Sequence, residues 1–262
     1  GSFIGNIGGK GAGAIYNVDT LKVDGATFTN NRAEQFGGAI VNSKTMTMNS
    51  VTAYGNTADY GGFIDNGGYG DDPITCSVTG STFLSNRVDA RGGAFYNIDK
   101  SENVNIQGST FIDNEARDKG HSVYNKGSLT MNYNYIYNTD INTNPYKQKG
   151  VYNEMGSANL QKNFWGFNEN PITRNVVVRE GGSVDVSSWV ILNVVHDLQN
   201  KQITVDLKHL NDMSLLTEGT IPEKGLLPVQ FYTGIKCTTR NIENGVATLK
   251  YEYYQLGVAY GD

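Results

Sequence analysis

Two short motifs recur in step along the first 153 residues, and their spacing constrains the fold more than any other feature. The first motif is an aromatic residue, two variable residues and an asparagine. Its copies occupy residues 3–6, 28–31, 83–86, 111–114 and 135–138, with 53–56 as a degenerate copy. Successive asparagines are 25, 25, 30, 28 and 24 residues apart. Self-similarity at such a period is typical of a repeat architecture.

The second motif combines glycine, apolar residues and a final asparagine, and it follows the first by about eleven positions. Its copies occupy residues 13–17, 37–42, 61–66, 92–97, 120–125 and 150–153. The last two copies depart from the pattern. His121 replaces the second glycine in one copy, and the glycine pair is missing before Val151 in the other. Two motifs that stay in register indicate one structural unit.

The segments between the motifs alternate apolar and polar residues and are rich in β-branched side chains, which predicts strands. Examples are residues 21–23, 46–48, 74–78, 104–106 and 129–131. A unit of about 25 residues with three short strands has no room for a crossover helix, so it closes only by coiling. The sequence therefore predicts an all-β fold with a right-handed parallel β-helix of six to seven rungs over residues 1–180.

The stacking of rungs gives the repeated residues physical roles. Asparagine tolerates left-handed backbone and bonds its neighbours, so we expect one corner to carry a ladder of amide hydrogen bonds. The predicted ladder comprises Asn31, Asn56, Asn86, Asn114 and Asn138. Glycine marks a corner where a Cβ atom would obstruct the neighbouring rung. Phe164, Trp165 and Phe167 follow the last repeat and are predicted to cap the open end of the solenoid.

The composition changes near residue 180, where the asparagine and glycine repeats stop. Strand-like runs follow at residues 189–195, 202–207, 229–232 and 246–254, separated by polar and glycine or proline turns. This pattern predicts an Ig-like β-sandwich over residues 181–262. Few residues follow the last long run, so we expect a sandwich that is either minimal or cut before its last strand.

Charge and cysteine content narrow the classes of function. The chain has 21 Lys+Arg and 26 Asp+Glu, a net charge of −5, which argues against a nucleic-acid partner. No apolar run approaches the length that a membrane span needs, so no direct membrane insertion is expected. Cys76 and Cys237 lie far apart and outside any metal-ligand spacing. We expect two buried thiols, no catalytic metal and no cofactor.

The paired motifs resemble the passenger repeats of chlamydial polymorphic outer-membrane proteins. The whole chain resembles the adhesin-like proteins of methanogenic archaea, in which β-helix repeats end in an Asn-aromatic-Trp-Gly-x-Asn-x-Pro cap, here residues 163–171. An Ig-like domain then opens with Trp-Val-x-Leu, here 189–192, and continues through residues 203–207, 221–231 and 244–248. The resemblance implies display on the cell exterior and attachment to a host, a partner microbe or a polysaccharide.

The segment that joins the two motifs carries the candidate binding residues. Its copies at residues 32–36, 57–60, 87–91 and 115–119 would stack into a charged stripe, which we also expect to keep the rod soluble. The stripe and the glycine-rich insertion at 67–73 supply the candidate ligand-binding residues Asp59, Tyr60, Tyr69, Asp71, Asp72, Asp89, Arg91, Arg117, Asp118 and His121. Asp71 and Asp72 offer oxygens to calcium, but without further acidic ligands a plain turn is favoured.

These features predict a non-catalytic, monomeric adhesin fragment at the extracellular cell surface. The β-helix would present a lateral binding surface to a receptor or glycan on a host or partner cell, and the Ig-like domain would serve as a spacer or stalk. An alternative is a polysaccharide-active β-helix enzyme, either a lyase or a hydrolase, since parallel β-helices also host such enzymes. A third interpretation is a purely structural module of the cell envelope.

Overall fold

The computed structural model describes residues 1–67, 73–98, 101–138, 150–178, 181–233, 236–252 and 256–260. Strands account for most of these residues. The helix α1, Pro171–Arg174, has four residues and is capped at its start by the Asn170 side chain. Within the described ranges no helix has the length and apolar character needed to cross a membrane.

The first 185 residues form short strands that recur on every rung. Rungs one to three contain β1 Ser2–Ile4, β2 Ile15–Asn17, β3 Thr20–Asp24, β4 Thr27–Thr29, β5 Ile40–Asn42, β6 Thr45–Asn49, β7 Thr52–Tyr54, β8 Thr57–Tyr60, β9 Ile64–Asn66 and β10 Ile74–Thr79. Rungs four and five contain β11 Thr82–Leu84, β12 Arg87–Arg91, β13 Phe95–Asn97, β14 Ser101–Gln107, β15 Thr110–Ile112, β16 Glu115–Ala116, β17 Val123–Asn125 and β18 Ser128–Asn132. The last rungs contain β19 Tyr135–Tyr137, β20 Val151–Asn153, β21 Gly156–Asn159, β22 Val176–Val178 and β23 Gly182–Asp185.

These strands stack into four parallel sheets. The first sheet has the order β1-β4-β7-β11-β15-β19, and the second, which is short, has the order β16-β12-β8. The third has the order β2-β5-β9-β13-β17-β20-β22, and the fourth β23-β21-β18-β14-β10-β6-β3. Equivalent motif positions pair directly, as Phe3 with Phe28 and Asn17 with Asn42. The predicted parallel β-helix is confirmed as a β-solenoid of about six turns.

The solenoid core consists of identical positions stacked from rung to rung. The rings of Phe3 and Phe28 stack with centroids 4.6 Å apart, and those of Phe83 and Phe111 with centroids 4.5 Å apart. Trp165 is fully buried at the downstream end of this core, and Phe167 packs against it. Inward positions therefore favour side chains that pack well against an identical side chain on the neighbouring rung, one strand spacing away.

The first asparagine ladder runs along the corner that follows the first sheet. It comprises Asn6, Asn31, Asn56, Asn86 and Asn114. Each Nδ2 donates to the Oδ1 of the next member over 2.7 to 3.0 Å, and each backbone N–H bonds the same oxygen. Asn138 is buried on the following rung, but its Oδ1 has no hydrogen-bond partner among the described residues. The ladder ends where the second sheet ends, at β16.

A second ladder, which the sequence analysis did not assign, follows the third sheet. Its members are Asn17, Asn42, Asn66, Asn97, Asn125 and Asn153, joined by Nδ2 to Oδ1 bonds of 2.6 to 2.8 Å. A third corner combines serine and asparagine in the order Ser81, Ser109, Asn134, Asn163. Three corners of the solenoid are thus fastened by buried polar side chains whose hydrogen bonds cross between rungs.

The glycine pairs lie where adjacent rungs approach most closely. A Cβ atom on Gly38 would lie 2.0 Å from the carbonyl oxygen of Gly62, and one on Gly62 would lie 2.1 Å from that of Gly93. A Cβ on Gly93 would lie 2.0 Å from the carbonyl oxygen of His121. His121 replaces the second glycine at the end of this series of close contacts, so the series does not continue beyond it.

The remaining strands are antiparallel. They are β24 Val190–Asp197, β25 Gln202–Leu210, β26 Val229–Thr233, β27 Lys236–Arg240, β28 Val246–Lys250 and β29 Leu256–Tyr260. They form two three-stranded sheets with the orders β24-β25-β28 and β27-β26-β29. We call residues 186–260 the second region.

The second region packs along the outer face of the first sheet. Phe164 bridges Tyr135 and Val190 and belongs to the apolar cluster that the two parts share. Thr110 Oγ1 donates to the Lys224 carbonyl oxygen over 3.0 Å, and Lys224 Nζ lies 3.1 Å from Thr52 Oγ1. Of the three predicted cap residues, Trp165 and Phe167 therefore contact the solenoid core, whereas Phe164 contacts the second region.

We expect Asn86→Ala to lower the free energy of unfolding by roughly 2–4 kcal/mol. The substitution removes a central ladder amide and leaves the Asn56 N–H and the Ala53 carbonyl without their buried partner. Urea denaturation measures the loss. Asn103→Ala, at an exposed position, is the control and should change stability by less than about 0.5 kcal/mol. Equal effects at both positions would contradict the assigned role of the ladder.

We expect Gly62→Ala to destabilise the solenoid by about 3 kcal/mol or more, because two rungs must separate to admit the Cβ atom. The matched control is Gly9→Ala, where nothing lies within 4 Å of the added atom. Thermal denaturation of both variants provides the measurement. A Gly62→Ala protein as stable as the Gly9→Ala protein would exclude close rung contact at this corner.

Candidate functional site

The second sheet presents a polar surface that we call the turn face. It comprises Arg32, Glu34, Thr57, Asp59, Arg87, Asp89, Glu115 and Arg117. Arg87 pairs in register with Thr57 on one side and with Glu115 on the other. The alternate residues Ala33, Ala58, Val88 and Ala116 are small and buried. Because successive strand residues point to opposite faces, the charged residues between them are directed outward.

The charged side chains in the downstream half of the turn face form ion pairs with one another. Arg117 Nη1 lies 3.0 Å from Asp89 Oδ1, and both side chains are 62% exposed. Arg87 Nε lies 3.6 Å from Glu115 Oε2. Exposed pairs of this kind contribute less than about 1 kcal/mol to stability. The fold therefore does not depend on these charges.

The upstream half of the turn face carries charges without such partners. A shallow groove of about 230 Å³ is lined by Arg32, Glu34 and Asp59 together with Arg87 and Asp89. Among the described residues, no ion pair involves Arg32, Glu34 or Asp59. A guanidinium and two carboxylates beside one groove can donate to and accept from the hydroxyl or amide groups of a ligand.

An aromatic column borders the turn face along the solenoid axis. Its rings belong to Phe36, Tyr60, Tyr96, Tyr124 and Tyr152, with successive centroids 5.5, 5.2, 5.1 and 5.7 Å apart. The first three rings are half-buried and the last two are buried. The half-buried end of the column, at Phe36 and Tyr60, thus lies on the same rungs as the groove.

A charged cluster covers the closed end of the column. Arg91 Nη1 lies 2.9 Å from the Tyr124 hydroxyl, and Lys119 Nζ lies 4.9 Å from the centre of the Tyr152 ring. The Tyr124 hydroxyl donates to Glu154, whose Oε2 also lies 3.3 Å from Lys119 Nζ. Arg91 Nε donates to Asp118 Oδ2 over 3.2 Å.

The titration of this cluster follows from burial and from these contacts. Burial raises the pKa of Tyr124, and its hydrogen bond to Glu154 raises that pKa further. Burial also acts to raise the pKa of Glu154, but the Tyr124 hydrogen bond and the Lys119 charge outweigh it and leave the pKa lowered. The cluster keeps Glu154 ionised and Tyr124 protonated at neutral pH, and its donors and acceptors are engaged with one another.

The predicted site residues divide between these surfaces. Asp59, Tyr60, Asp89 and Arg117 lie on the turn face or its aromatic border, whereas Arg91 and Asp118 belong to the charged cluster. Tyr69, Asp71 and Asp72 lie outside the described residues.

His121 does not join the predicted charged stripe. Its side chain is only 5% exposed, and its Nδ1 accepts a hydrogen bond from the Ala116 N–H at 3.1 Å. This contact turns the imidazole inward at the corner, so His121 has a structural role in place of the predicted surface role.

Asp65 is an unusual buried group that the sequence analysis missed. It occupies the column position held by Val41 and Tyr96 on the adjacent rungs. The side chain is 4% exposed, and its Oδ1 has no hydrogen-bond partner among the described residues. Burial raises the pKa of Asp65 to about 7. The available signal was an acidic residue in a motif position that other copies fill with tyrosine or valine.

The described residues contain no group of three or more His, Cys, Asp or Glu side chains that could hold a metal ion. The prediction of two buried thiols is confirmed for Cys76, which lies in the solenoid core, and is wrong for Cys237, which is exposed on β27. No protein-family model, curated protein or solved structure matches the chain.

We expect Asp65→Asn to stabilise the protein at pH 8 by up to about 4 kcal/mol and to have little effect below pH 4. The pKa is about 7 in the folded state against an ordinary value of 3.8, so the folded state holds the proton more tightly. The contribution of Asp65 to stability is therefore fully present below about pH 4 and is lost as the pH rises from about 4 to 7.

Urea denaturation between pH 4 and pH 8 measures this difference. Asp59→Asn, on the turn face and outside the solenoid core, is the matched control for the substitution itself. A constant difference between the wild type and Asp65→Asn across this range would show that Asp65 is not a buried titrating group.

Proposed function

We propose that the chain is a non-catalytic adhesin fragment displayed at the extracellular cell surface. In this proposal the solenoid presents a lateral binding surface, and the second region is an Ig-like β-sandwich that serves as a spacer. The observation that supports it best is the upstream turn face, where Arg32, Glu34 and Asp59 line a groove without ion pairs of their own. The resemblance to adhesin-like proteins of methanogenic archaea supports the same assignment.

The packing of the second region limits where a partner can bind. It covers much of the first sheet through contacts at Thr52, Thr110 and Tyr135. The turn face and the outer face of the fourth sheet lie away from these contacts. We therefore propose one of these two faces as the lateral binding surface.

The chemistry of the turn face suits a polar partner. Its charges are of mixed sign, so it offers both donors and acceptors. Phe36 and Tyr60 add a half-buried aromatic border. Aromatic rings beside hydrogen-bonding side chains suit sugars and polar protein surfaces. We propose a receptor or glycan on a host or partner microbial cell as the partner and a monomer as the binding form.

The Ig-like assignment of the second region is supported by its two antiparallel sheets. Buried residues alternate with exposed ones along β28, and Val205 and Phe231 lie in the apolar cluster of this region. Alternation of this kind is typical of strands in a two-layer sandwich.

We expect the double variant Arg32→Ala/Asp59→Ala to weaken binding to its cellular partner at least tenfold, because it removes a donor and an acceptor from the groove. Binding to intact host and microbial cells and to a glycan array provides the measurement. Glu243→Ala/Lys250→Ala, which removes one charge of each sign from the exposed surface of the second region, is the control.

Unchanged binding by the Arg32→Ala/Asp59→Ala protein would remove the turn face from the proposal. Depolymerisation of a polysaccharide by the wild type, with no binding to cells or glycans, would favour the alternative enzyme function.

A further inference from the structure

The outer face of the fourth sheet is composed of uncharged polar residues apart from Glu102, an exposed residue at the irregularity of β14, and we call it the neutral face. Between β6 and β21 the strand register aligns these residues into three columns. The first contains Thr45, Thr75, Asn103, Ser128 and Ser157; the central contains Thr47, Ser77, Asn105, Thr130 and Asn159; the third contains Asn49, Thr79, Gln107 and Asn132. Every member is serine, threonine, asparagine or glutamine.

The absence of charge within these columns is local. Charged residues enter the same columns only beyond the two ends of the face, at Lys22 and Asp24 before it and at Asp185 after it. The turn face on the same rungs carries Arg87 and Asp89. A solvated surface has no need of such uniformity, because interspersed charges serve solubility better.

The neutral face is also regular in space. Neighbouring strands lie about 4.8 Å apart along the solenoid, and alternate residues lie about 6.7 Å apart along each strand. The outer columns bond partly among themselves, as Thr75 Oγ1 to Thr45 Oγ1 at 3.3 Å and Thr79 Oγ1 to Asn49 Oδ1 at 3.1 Å. The face is therefore a two-dimensional array of hydroxyl and amide groups.

The central column retains hydrogen-bonding capacity. Among the described residues, the side chains of Thr47, Ser77 and Thr130 form no hydrogen bonds with other protein groups. The Oδ1 of Asn105, on the intervening strand β14, also has no partner but is buried. The strands β6, β10 and β18 thus each offer one free hydroxyl group on the line that runs along the axis.

A cavity adjoins the downstream end of the neutral face. Its volume is about 450 Å³, and its lining includes Gln107, Asn132, Asn159, Tyr133, Lys162 and Glu218. Lys162 Nζ lies 3.2 Å from the Tyr133 hydroxyl and 5.5 Å from the centre of its ring. A volume of this size is within the range of ligand pockets, and the lining adds an aromatic ring to the amides of the face.

We propose that the neutral face binds a linear, uncharged polysaccharide laid along the solenoid axis, with its end in the cavity beside Tyr133. This assignment rests on the proposed function as a binding module and names a ligand class for a second lateral surface. An uncharged partner fits because a charged polymer would lose hydration on this surface without gaining a counter-charge. A periodic partner fits because many weak contacts at equal intervals add their effects along one chain.

The test compares two matched arginine substitutions on the second rung. Thr47→Arg places a long charged side chain in the central column, whereas Thr29→Arg places the same side chain outward on the first sheet. Ser157→Arg, at an exposed position in the first column, provides a second variant of the face. Affinity gel electrophoresis uses mixed-linkage β-glucan, galactomannan and α-mannan as neutral polymers, and polygalacturonate and alginate as acidic polymers.

We expect the wild type to be retarded by at least one neutral polymer and by neither acidic polymer. Thr47→Arg and Ser157→Arg should weaken that binding at least tenfold at unchanged thermal stability, and Thr29→Arg should retain it. Retardation by acidic polymers alone, by no polymer, or equally in all variants would overturn the inference. If the wild type binds intact cells but no neutral polymer, this inference fails while the proposed function stands; if it binds neither, both fail.

Discussion

The structure depends on one constraint, which is that each residue lies directly against its equivalent on the next rung at a single strand spacing. Identical apolar residues then stack in the core, as Phe83 on Phe111 does. Buried asparagines satisfy one another, because each amide donates to the next and accepts from the previous one. The same constraint excludes a Cβ atom at Gly62, where the adjacent backbone is too close. Repetition of sequence is thus a direct consequence of repetition in space.

The constraint also organises the exterior, because every outward position becomes a column along the axis. The columns of the first sheet are largely covered by the second region through contacts such as Lys224 with Thr52. Those of the turn face carry mixed charges around a shallow groove. Those of the fourth sheet carry hydroxyl and amide groups alone between β6 and β21. The solenoid therefore presents surfaces of different chemistry from one repeat.

Particular residues show how far the sequence alone could be interpreted. The ladder from Asn31 to Asn114 follows from the aromatic motif, since its spacing equals one rung. The second ladder through Asn97 follows in the same way from the asparagine that ends each glycine motif. The predicted surface position of His121 is wrong, because the motif gives only the position along the rung and does not fix the direction of the side chain at a corner. The burial of Asp65 could not be predicted from the motif alone, because it depends on the column of stacked residues in which Asp65 lies.

The sequence by itself determined the all-β class, the parallel stacking and the length of each rung, because these follow from local backbone preferences repeated about every 25 residues. Only the tertiary structure decided which side chains turn inward at the corners and which face the second region covers. It also decided that Arg91 and Glu154, far apart in the chain, meet over Tyr124. The physical reason is that such contacts depend on how successive rungs are superposed, and the period alone does not specify the direction of each side chain.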